Sequence, residues 1–343
     1  ELGVAGMTIP ENYGGQKLDD ISEAIVIEEL SRVDPSLGVM VAVHVGLCSL
    51  TIVLNGNEEQ KKKYLPKLAS GEYLGAYSLS EAGSGTDAAA MVAKANDDGD
   101  YFTLNGEKMW VTNGTTADLF VLFAKVTDHP DYGKKKHGGV TCFVVEKGFN
   151  GFKIGKKEDK LGIRSSDTCT LILDNCKVPK ENVLGEVGNG FGIAMNALDN
   201  SRIGIAAQAL GIAQGAYESA LKYSKERETF GKPIAQHQTI SNYLADMAMK
   251  IDGARLQVYK AAWAKERHYK QGEDRHTLEA SFAKLNAGDT AMWVSEKAVQ
   301  ILGGYGYTTE FPVERFFRDA KITQIYEGTQ EVQRLVIARE IGK

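Results

Sequence analysis

Residues 318–331 have the sequence RDAKITQIYEGTQE, with Tyr326, Glu327, Gly328 and Thr329 at its centre. A carboxylate beside a glycine leaves room for a flat substrate to lie close to the backbone. The apolar side chains before the glutamate suggest a site poor in water, where desolvation makes a carboxylate a stronger base. A plain helix boundary would explain the same residues, with the glycine as the break and the threonine as the next cap. The stretch therefore predicts either a general base or a helix boundary.

Composition is typical of a soluble globular protein. The chain has 343 residues, of which 43% are hydrophobic and 25% charged, enough for two or three domains with a full core. The net charge of -5 argues against a nucleic-acid surface, and the lysine triplets at 61–63 and 134–136 are too local to change that. No apolar run reaches transmembrane length and no signal peptide is visible, so we expect no stable membrane insertion.

Cysteine and histidine spacing gives no indication of a metal site. The four cysteines contain no Cys-x-x-Cys pair, and the six histidines contain no His-Glu-x-x-His, so we expect no metal. Cys169 and Cys176 could in principle pair, but reduced thiols in a reducing compartment are expected.

Both ends of the chain have helical patterning. Residues 1–73 form a predicted N-terminal helical domain with three helices, two of them opened by capping-box-like pairs. Their predicted first residues are Asp20, Pro35 and Asn57. Residues 181–343 form a predicted helical bundle, whose first helix is rich in Ala, Ile and Gly and suits a buried position with close neighbours. Its predicted helices cover residues 191–227, 234–269, 277–302 and about 330–341.

The middle of the chain, residues 74–180, has the alternation of strands. Asn105-Gly106 lies between two apolar runs and predicts a hairpin turn. Further strands are predicted over residues 119–126, 140–146 and 168–173. Many short strands in about 100 residues predict a barrel or sandwich. The fold class is therefore α+β, in the order helices, β domain, helices.

Two motifs in the β domain could contact a ligand. Residues 77–87, YSLSEAGSGTD, form a Gly-rich loop after a strand, whose backbone N–H groups could hold a phosphate, although an ordinary β-turn would explain it. It is not Gly-x-Gly-x-x-Gly and no βαβ unit surrounds it, so a Rossmann site is not supported. Trp110 could stack on a planar ring to which Thr112 hydrogen-bonds, or the tryptophan could belong to the core.

Three motifs in the helical part are equally open. Asp199 and Arg202 lie three apart on a predicted helix and would otherwise form an ordinary ion pair. That helix ends at residues 227–231, RETFG. Residues 300–306, QILGGYG, end another helix in glycines, which would let a ligand approach the backbone or would serve only as a C-cap.

Together, seven motifs in this order resemble acyl-CoA dehydrogenases over nearly the whole chain. They are residues 77–87, 109–114, 161–168, 199–202, 226–232, 300–304 and 318–333. The resemblance is closest to the short-chain (butyryl-CoA) branch, notably in residues 202–211, RIGIAAQALG, and the medium-chain branch is also near. It implies an N-terminal helical domain, a middle β domain and a C-terminal four-helix bundle, the order predicted above.

The resemblance implies FAD as the cofactor, lying between the β domain and the bundle. Residues 77–86 would line the flavin and pyrophosphate, with Trp110 against the isoalloxazine and Thr112 near its reactive nitrogen. Part of the bundle would reach the FAD of a neighbouring subunit, which implies an obligate oligomer, usually a homotetramer built as a dimer of dimers. The implied cofactor-binding residues are Tyr77, Leu79, Ser80, Gly85, Thr86, Trp110, Val111, Thr112, Arg227, Thr229, Phe230, Gln238, Gln300, Ile301, Gly303, Gly304, Thr329 and Glu331.

The resemblance also implies that Glu327 removes the α-proton while the β-hydrogen leaves as hydride to the flavin. In the family, hydrogen bonds from the base's own N–H and a ribityl hydroxyl stabilise the developing enolate, and substrate burial raises the pKa of the base. One branch carries its base just before the arginine, where this chain has Ser201, so that branch is excluded. The implied substrate-binding residues are Thr86, Asp199, Arg202, Tyr326, Gly328 and Arg339.

The leading hypothesis is a dehydrogenase that passes electrons to an electron-transfer flavoprotein, which would dock on helices around residues 21–54. An acyl-CoA oxidase is the nearest rival, but oxidases usually carry an added C-terminal domain. A non-catalytic acyl-CoA or flavin-binding scaffold would be expected to lose Glu327. Acyl chain length is not fixed by the sequence, and bacterial cytoplasm and mitochondrial matrix both fit.

The chain departs from the family pattern in three places. The family often has Pro where Ala82 stands and Ser where Thr86 stands, and the hydroxyl survives the second change. The family normally has an extra helical segment before the position of Glu1, so we expect the N-terminal domain to lack its first helical segment.

Overall fold

Helices at both ends of the chain flank a run of strands, in a computed structural model that describes residues 3–343. Glu1 and Leu2, the first residues of the predicted N-terminal domain, lie outside the described residues. The predicted order of helices, β domain and helices is confirmed. By its contacts the chain divides into two units. One contains the residues up to Leu18, Met40–Asp159 and Ser166–Ser201, and the other contains Asp19–Val39, Lys160–Ser165 and Arg202–Lys343.

The N-terminal helices begin close to their predicted positions. They are α1 (Asp20–Val33), α2 (Pro35–Ala42), α3 (Leu50–Asn55) and α4 (Glu58–Ser70), with a π-helical segment over Val43–Ser49. The predicted capping box of α4 is confirmed, because Asn57 and Gln60 each accept from the other's backbone N–H. The cap of α1 is Asp19, whose carboxylate accepts from the N–H of Ser22 at 2.7 Å, one residue before the predicted start.

The prediction that no apolar run reaches transmembrane length is wrong for one segment. Pro35–Asn55, 21 residues, is long and apolar enough by length and composition to cross a membrane. Of its most apolar window, 67% is buried inside the protein. A buried core helix of a soluble protein can have the same length and apolar composition.

An eight-stranded sheet forms the middle of the chain, in the first unit. Its strands are β1 (Gly75–Ser78), β2 (Lys94–Asp97), β3 (Tyr101–Thr112), β4 (Leu119–Val126), β5 (Val140–Glu146), β6 (Phe152–Lys157), β7 (Thr168–Pro179) and β8 (Val183–Leu184). The order is β6-β7-β3-β2-β4-β5-β8, with β1 parallel to β4. Alternate residues of β4 enter two cores. Val121 and Phe123 pack with Leu65 of α4, whereas Phe120 packs with Phe143 of β5, as the period of two requires.

The predicted hairpin at Asn105-Gly106 is wrong. β3 is one strand of 12 residues that pairs antiparallel with β7 at nine positions, and its register shifts between Leu104 and Gly106. Gly106 has φ +146, and a Cβ there would stand 2.8 Å from Cα of Ala93. The glycine therefore serves a bulge and a close approach within the sheet, not a turn.

The second unit is a helical bundle. Besides α1 and the first residues of α2, it contains α5 (Gly190–Glu226, which enters this unit at Arg202), β9 (Glu228–Thr229), β10 (Lys232–Pro233), α6 (Gln238–Gln271), α7 (Thr277–Leu302), α8 (Val313–Ala320) and α9 (Gln330–Ile341). The bounds of α7 and α9 are those predicted. Close packing of α5 is confirmed, since a Cβ on Gly211 would stand 2.3 Å from the carbonyl oxygen of Glu28 in α1.

Buried charges join α1 to α6 within this unit. The Glu28 carboxylate accepts from Arg255 at 2.8 Å and from the Tyr259 hydroxyl at 2.9 Å. Lys265, 3% exposed, pairs with Asp20 and Glu23. Because one partner alone would leave a buried charge unpaired, these pairs fix where α1 lies on the bundle. The domain boundaries at residues 73 and 180 stay a prediction.

Candidate active site

The loop before α9 contains two successive residues in the left-handed region. Glu327 has φ +55 and Gly328 has φ +88. Such a conformation is uncommon for a glutamate, costs roughly 1–3 kcal/mol, and persists only where the surroundings hold it. Thr329 caps α9, its hydroxyl accepting from the N–H of Val332 at 3.3 Å. The helix boundary is therefore present, and the glutamate is strained within it.

Two buried side chains bind the carbonyl groups of this loop. Gln333 donates from Nε2 to the carbonyl oxygen of Glu327 at 3.2 Å and to that of Gly328 at 3.0 Å. Lys284 donates from Nζ to the carbonyl oxygen of Gly328 at 2.7 Å and to Oε1 of Gln330 at 3.2 Å. These contacts account for the persistence of the left-handed pair.

Two buried cations, Lys284 and Arg202, lie near the loop. Burial lowers the pKa of Lys284 to about 8, against the opposing effect of Glu327 and with a further lowering by Arg202. Arg202 is also buried, and its Nη2 would lie 3.9 Å from a Cβ placed on Gly328. Of the predicted substrate-binding residues, the structure thus brings Arg202 to Glu327 and Gly328. A carboxylate beside two cations is stabilised in its ionised form, as a base must be before it accepts a proton.

The other predicted substrate-binding residues have different surroundings. The Tyr326 hydroxyl donates to Oε1 of Gln208, and burial raises the pKa of this phenol. Asp199 is buried on α5, one turn before Arg202. Arg339 is exposed near the end of α9, where it pairs with Glu340 at 3.2 Å. It lies about 15 Å along the helix from Thr329, so it does not join the group around Glu327.

In the β domain, Trp110 combines exposure with a strained backbone. It has φ +62 and is 58% exposed, so the core alternative is wrong for this ring, while Val111 beside it is buried. The backbone of β3 is fixed to the Gly-rich loop, because the N–H of Met109 donates to the carbonyl oxygen of Ser80 at 2.9 Å. The structure thus brings residues 77–86 and residues 110–112 together.

A buried ion pair between Glu81 and Lys108 fixes the Gly-rich loop to β3. The Glu81 carboxylate accepts from Nζ of Lys108 at 2.7 Å and from the N–H groups of Val92 and Ala93 at 2.6 and 3.1 Å. Lys108 also donates to the carbonyl oxygen of Leu79 at 3.1 Å. Burial lowers the pKa of Lys108 to about 8, against the charge of Glu81. The loop does contain the β-turn of the alternative, in which the N–H of Ser84 donates to the carbonyl oxygen of Glu81 at 3.1 Å, and the ion pair fixes this turn to β3.

A third group of predicted residues lines one cleft of about 470 Å³ in the second unit. Arg227, Thr229, Ile301, Gly303 and Gly304 belong to it. A Cβ on either glycine would meet nothing within 4 Å, so the backbone is open to a ligand. A guanidinium, a hydroxyl and open glycine backbone suit the phosphates of a dinucleotide, and these residues fit FAD.

The remaining predicted cofactor residues are exposed, except for Thr329, which is half-buried. Phe230, next to that cleft, is 98% exposed with φ +51, whereas Gln238 and Gln300 lie outside the cleft lining. Thr329 and Glu331 line a separate polar cleft of about 300 Å³. Within the β domain, Thr86 is exposed at the tip of the Gly-rich loop.

Three family models together cover nearly the whole chain. They describe the acyl-CoA dehydrogenase N-terminal domain over residues 1–72, the middle domain over residues 76–176 and the C-terminal domain over residues 188–342. The chain belongs to the acyl-CoA dehydrogenase family. It is accordingly an oxidoreductase that acts on acyl-CoA, with FAD as the cofactor.

Acyl-CoA dehydrogenases of bacteria and mitochondria are similar to this chain. A short-chain specific enzyme of Clostridium acetobutylicum is 49% identical over 341 residues, 99% of this chain and 87% of the relative. A short-chain specific mitochondrial enzyme of Mus musculus is 45% identical over 338 residues, 98% of this chain and 80% of the relative.

Two solved structures share the fold over nearly all of this chain. Butyryl-CoA dehydrogenase from Megasphaera elsdenii has a TM-score of 0.94 at 46% identity and covers 100% of this chain and 88% of its own. A chain from a structure of the electron transferring flavoprotein of Acidaminococcus fermentans has a TM-score of 0.94 at 48% identity, covering 99% and 87%.

The sequence patterns missed three buried side chains of this acyl-CoA dehydrogenase: Lys108, Lys284 and Gln333. A signal existed for Lys284, which lies at helical spacing with Ala280 and Ala287, both completely buried. A lysine in such an apolar stripe predicts a buried ammonium. Lys108 gives no such signal, because it lies beside Asn105-Gly106, where the sequence predicts a hairpin turn.

Proposed function

We propose that this acyl-CoA dehydrogenase oxidises short-chain acyl-CoA to trans-2-enoyl-CoA, with Glu327 as the base. The observation that carries the proposal is the geometry of Glu327, held in the left-handed region by Lys284 and Gln333 and close to two buried cations. A strained backbone conformation that is held in place by several contacts is characteristic of a functional residue. The short-chain preference follows from relatives whose names specify it.

The chain's own groups move one proton. The α-carbon–hydrogen bond breaks, its proton passes to a carboxylate oxygen of Glu327, and its electron pair forms the double bond. The backbone N–H of the same residue donates to the thioester oxygen as charge develops there. FAD, when bound, supplies the acceptor for the β-hydrogen, which leaves with its electron pair as a hydride. Lys284 and Arg202 place two buried positive charges near the loop that carries this carboxylate.

Two groups of residues hold the cofactor in this proposal. Trp110 offers an exposed ring to the flavin, with Thr112 beside it and the Gly-rich loop nearby. The cleft with Arg227, Thr229 and the open glycines suits the dinucleotide of a neighbouring subunit.

A homotetramer is part of the proposal. Phe230 is almost completely exposed, and Met249 and Leu256, seven residues apart on α6, are each 65% exposed. Large apolar side chains on one helix face are typical of a subunit interface.

We further propose an electron-transfer flavoprotein as the electron acceptor, docked on helices around residues 21–54. The support is the similarity to a chain solved with the flavoprotein of Acidaminococcus fermentans. Bacterial cytoplasm or mitochondrial matrix is the proposed location, since the relatives include a mitochondrial enzyme.

Anaerobic rapid mixing with a series of saturated acyl-CoAs tests the function. We expect flavin absorbance to bleach fastest with butyryl-CoA. A maximum at longer chains would move the enzyme to the medium-chain branch, and rapid peroxide formation on admitting oxygen would make it an oxidase. A protein that binds FAD and bleaches with no acyl-CoA would be a scaffold and would overturn the proposal.

A further inference from the structure

Lys284 is a buried cation that the proton transfer itself does not use. Its side chain is 1% exposed on α7, where Ala280, Ala287 and Ala291 form a completely buried stripe. An ammonium in such surroundings loses its hydration, and a methionine would pack there at no such cost. The residue therefore needs a reason to be charged.

One reason lies in the backbone that follows the base. Nζ of Lys284 stands 2.7 Å from the carbonyl oxygen of Gly328, in the peptide unit next to Glu327. A hydrogen bond from a charged donor is about twice as strong as one between neutral groups. Gln333 binds the same carbonyl group at 3.0 Å. Two donors on one carbonyl group fix the second of the two left-handed residues, and with it the direction of the Glu327 side chain.

A second reason lies in the charge. The groups that act on Lys284 are Glu327 in the loop, Arg202 on α5, Asp289 on its own helix and Glu331 on α9. The effect of Glu327 is the largest among these charges. Attraction between two charges is mutual, so the ammonium favours the ionised carboxylate just as the carboxylate favours the ammonium.

We propose that Lys284 is a positioning residue, which holds the Glu327 loop in its left-handed conformation and keeps the base ionised before substrate arrives. This inference rests on the proposed function, in which Glu327 takes the α-proton. It assigns two separable tasks to one side chain: geometry through the Gly328 carbonyl group, and charge through Glu327.

Two substitutions separate the tasks. Lys284→Met removes both the donor and the charge. Lys284→Gln removes the charge but keeps an amide N–H that can bind the Gly328 carbonyl group. Lys297→Met is the matched control, because Lys297 lies on the same helix, where its ammonium pairs with its neighbour Glu296 at 3.2 Å and lies over the rings of Tyr243 and Trp293.

The measurement is the rate of flavin bleaching with butyryl-CoA between pH 6 and 9, for holoenzymes of equal FAD content. We expect Lys284→Met to lower the rate at pH 7 about 100-fold, as misplacement of a catalytic group by about 1 Å does. The acid limb of the kcat/KM profile should move to higher pH by about one unit in both Lys284 variants. Lys284→Gln should lose less rate than Lys284→Met, and Lys297→Met should match the wild type.

Three results would overturn the inference. The first is a Lys284→Met enzyme with the rate and profile of the Lys297→Met control. The second is a lower rate with an unmoved acid limb in both variants, which is the result for a merely structural lysine. The third is an equal loss of rate in both variants, which would remove the task assigned to the carbonyl contact. A wild-type enzyme that does not bleach at all would instead contradict the proposed function.

Discussion

Two buried lysines, one in each unit, both lose the hydration of the ammonium group, but different contacts compensate for that loss. Lys108 on β3 and Lys284 on α7 are almost completely buried, and burial lowers the pKa of each to about 8. Lys108 contacts the Glu81 carboxylate directly at 2.7 Å. Among the described residues, Lys284 donates only to a carbonyl group and an amide oxygen, and Glu327 acts on it from a greater distance.

The difference separates a structural ion pair from a functional charge. The charge of Lys108 is neutralised at contact distance, so the pair joins the Gly-rich loop to β3 and adds little field elsewhere. Within residues 3–343, no carboxylate directly contacts the ammonium of Lys284, so its field extends to Glu327. Substitution of Lys108 should therefore mainly lower stability, whereas substitution of Lys284 should mainly lower the rate of the reaction.

The largest effect on stability should come from Lys108→Met. The substitution leaves the Glu81 carboxylate buried without its cation, which costs about 3–5 kcal/mol. Urea unfolding of the FAD-loaded enzyme measures the change. The double substitution Glu81→Gln with Lys108→Met removes the unpaired charge and should recover much of the loss. A single variant as stable as the wild type would show that the pair does not fix the loop.

Lys284→Met should cost less stability than Lys108→Met. Its partners are neutral oxygen atoms, so the loss is that of hydrogen bonds from a charged donor, about 1.5–3 kcal/mol. The same unfolding experiment gives the value. A Lys284→Met protein that is less stable than Lys108→Met would contradict the distinction between the two lysines. The Lys284 ammonium would then be a structural ion-pair partner like that of Lys108.

Gly328→Ala should disturb the loop without touching either lysine. The residue has φ +88, and a Cβ would stand 2.7 Å from Nε2 of Gln333, so we expect a loss of about 1–2 kcal/mol. Gly253→Ala on α6 is the control, since a Cβ there meets nothing within 4 Å. It should be neutral or stabilising by about 0.5–1 kcal/mol. Equal results for both variants would show that the left-handed conformation is not required.

The smallest predicted effect is a pH dependence shared by both lysines. The folded pKa of about 8 lies below the ordinary value of 10.5, so between these values the unfolded chain holds the extra proton. Stability contributed by each lysine therefore rises with pH in that window, by about 1.4 kcal/mol per pH unit and proton at most.

Comparing each lysine variant with the wild type isolates this slope. The variants should lose relative stability as pH rises from 8 to 10.5. Background titration cancels, including that of Cys48 and Cys176, in which burial raises the pKa of the thiol to about 12. A stability difference independent of pH would show that both lysines stay charged throughout.

Much of the fold could be predicted because local signals agreed with tertiary packing. The bounds of α7, α9, β4 and β5 follow from apolar periodicity and from their caps and turns. Asn105-Gly106 is the exception. Its local preference for a hairpin turn was overridden by pairing with β7, which lies more than 60 residues away in the chain and cannot be detected from adjacent residues.

The residues of the candidate site could also be predicted from the sequence only in part. Glu327 could be proposed from its motif, but its left-handed backbone depends on contacts of the loop with Lys284 and Gln333. Lys284 was missed because lysine is normally exposed, and only its alanine neighbours indicated otherwise. Sequence motifs thus indicated candidate site residues such as Glu327, while the buried side chains that contact the Glu327 loop required the structure.

The most direct test of the account is exchange of the acyl-CoA α-hydrogen with deuterium from solvent, catalysed by wild-type and Glu327→Gln holoenzymes. The glutamine keeps the shape of the side chain and can follow the same loop. We predict measurable exchange with the wild type and a loss of at least about 100-fold in the variant, the contribution expected of a positioned base. Exchange at the wild-type rate in Glu327→Gln would contradict the central claim that Glu327 removes the proton.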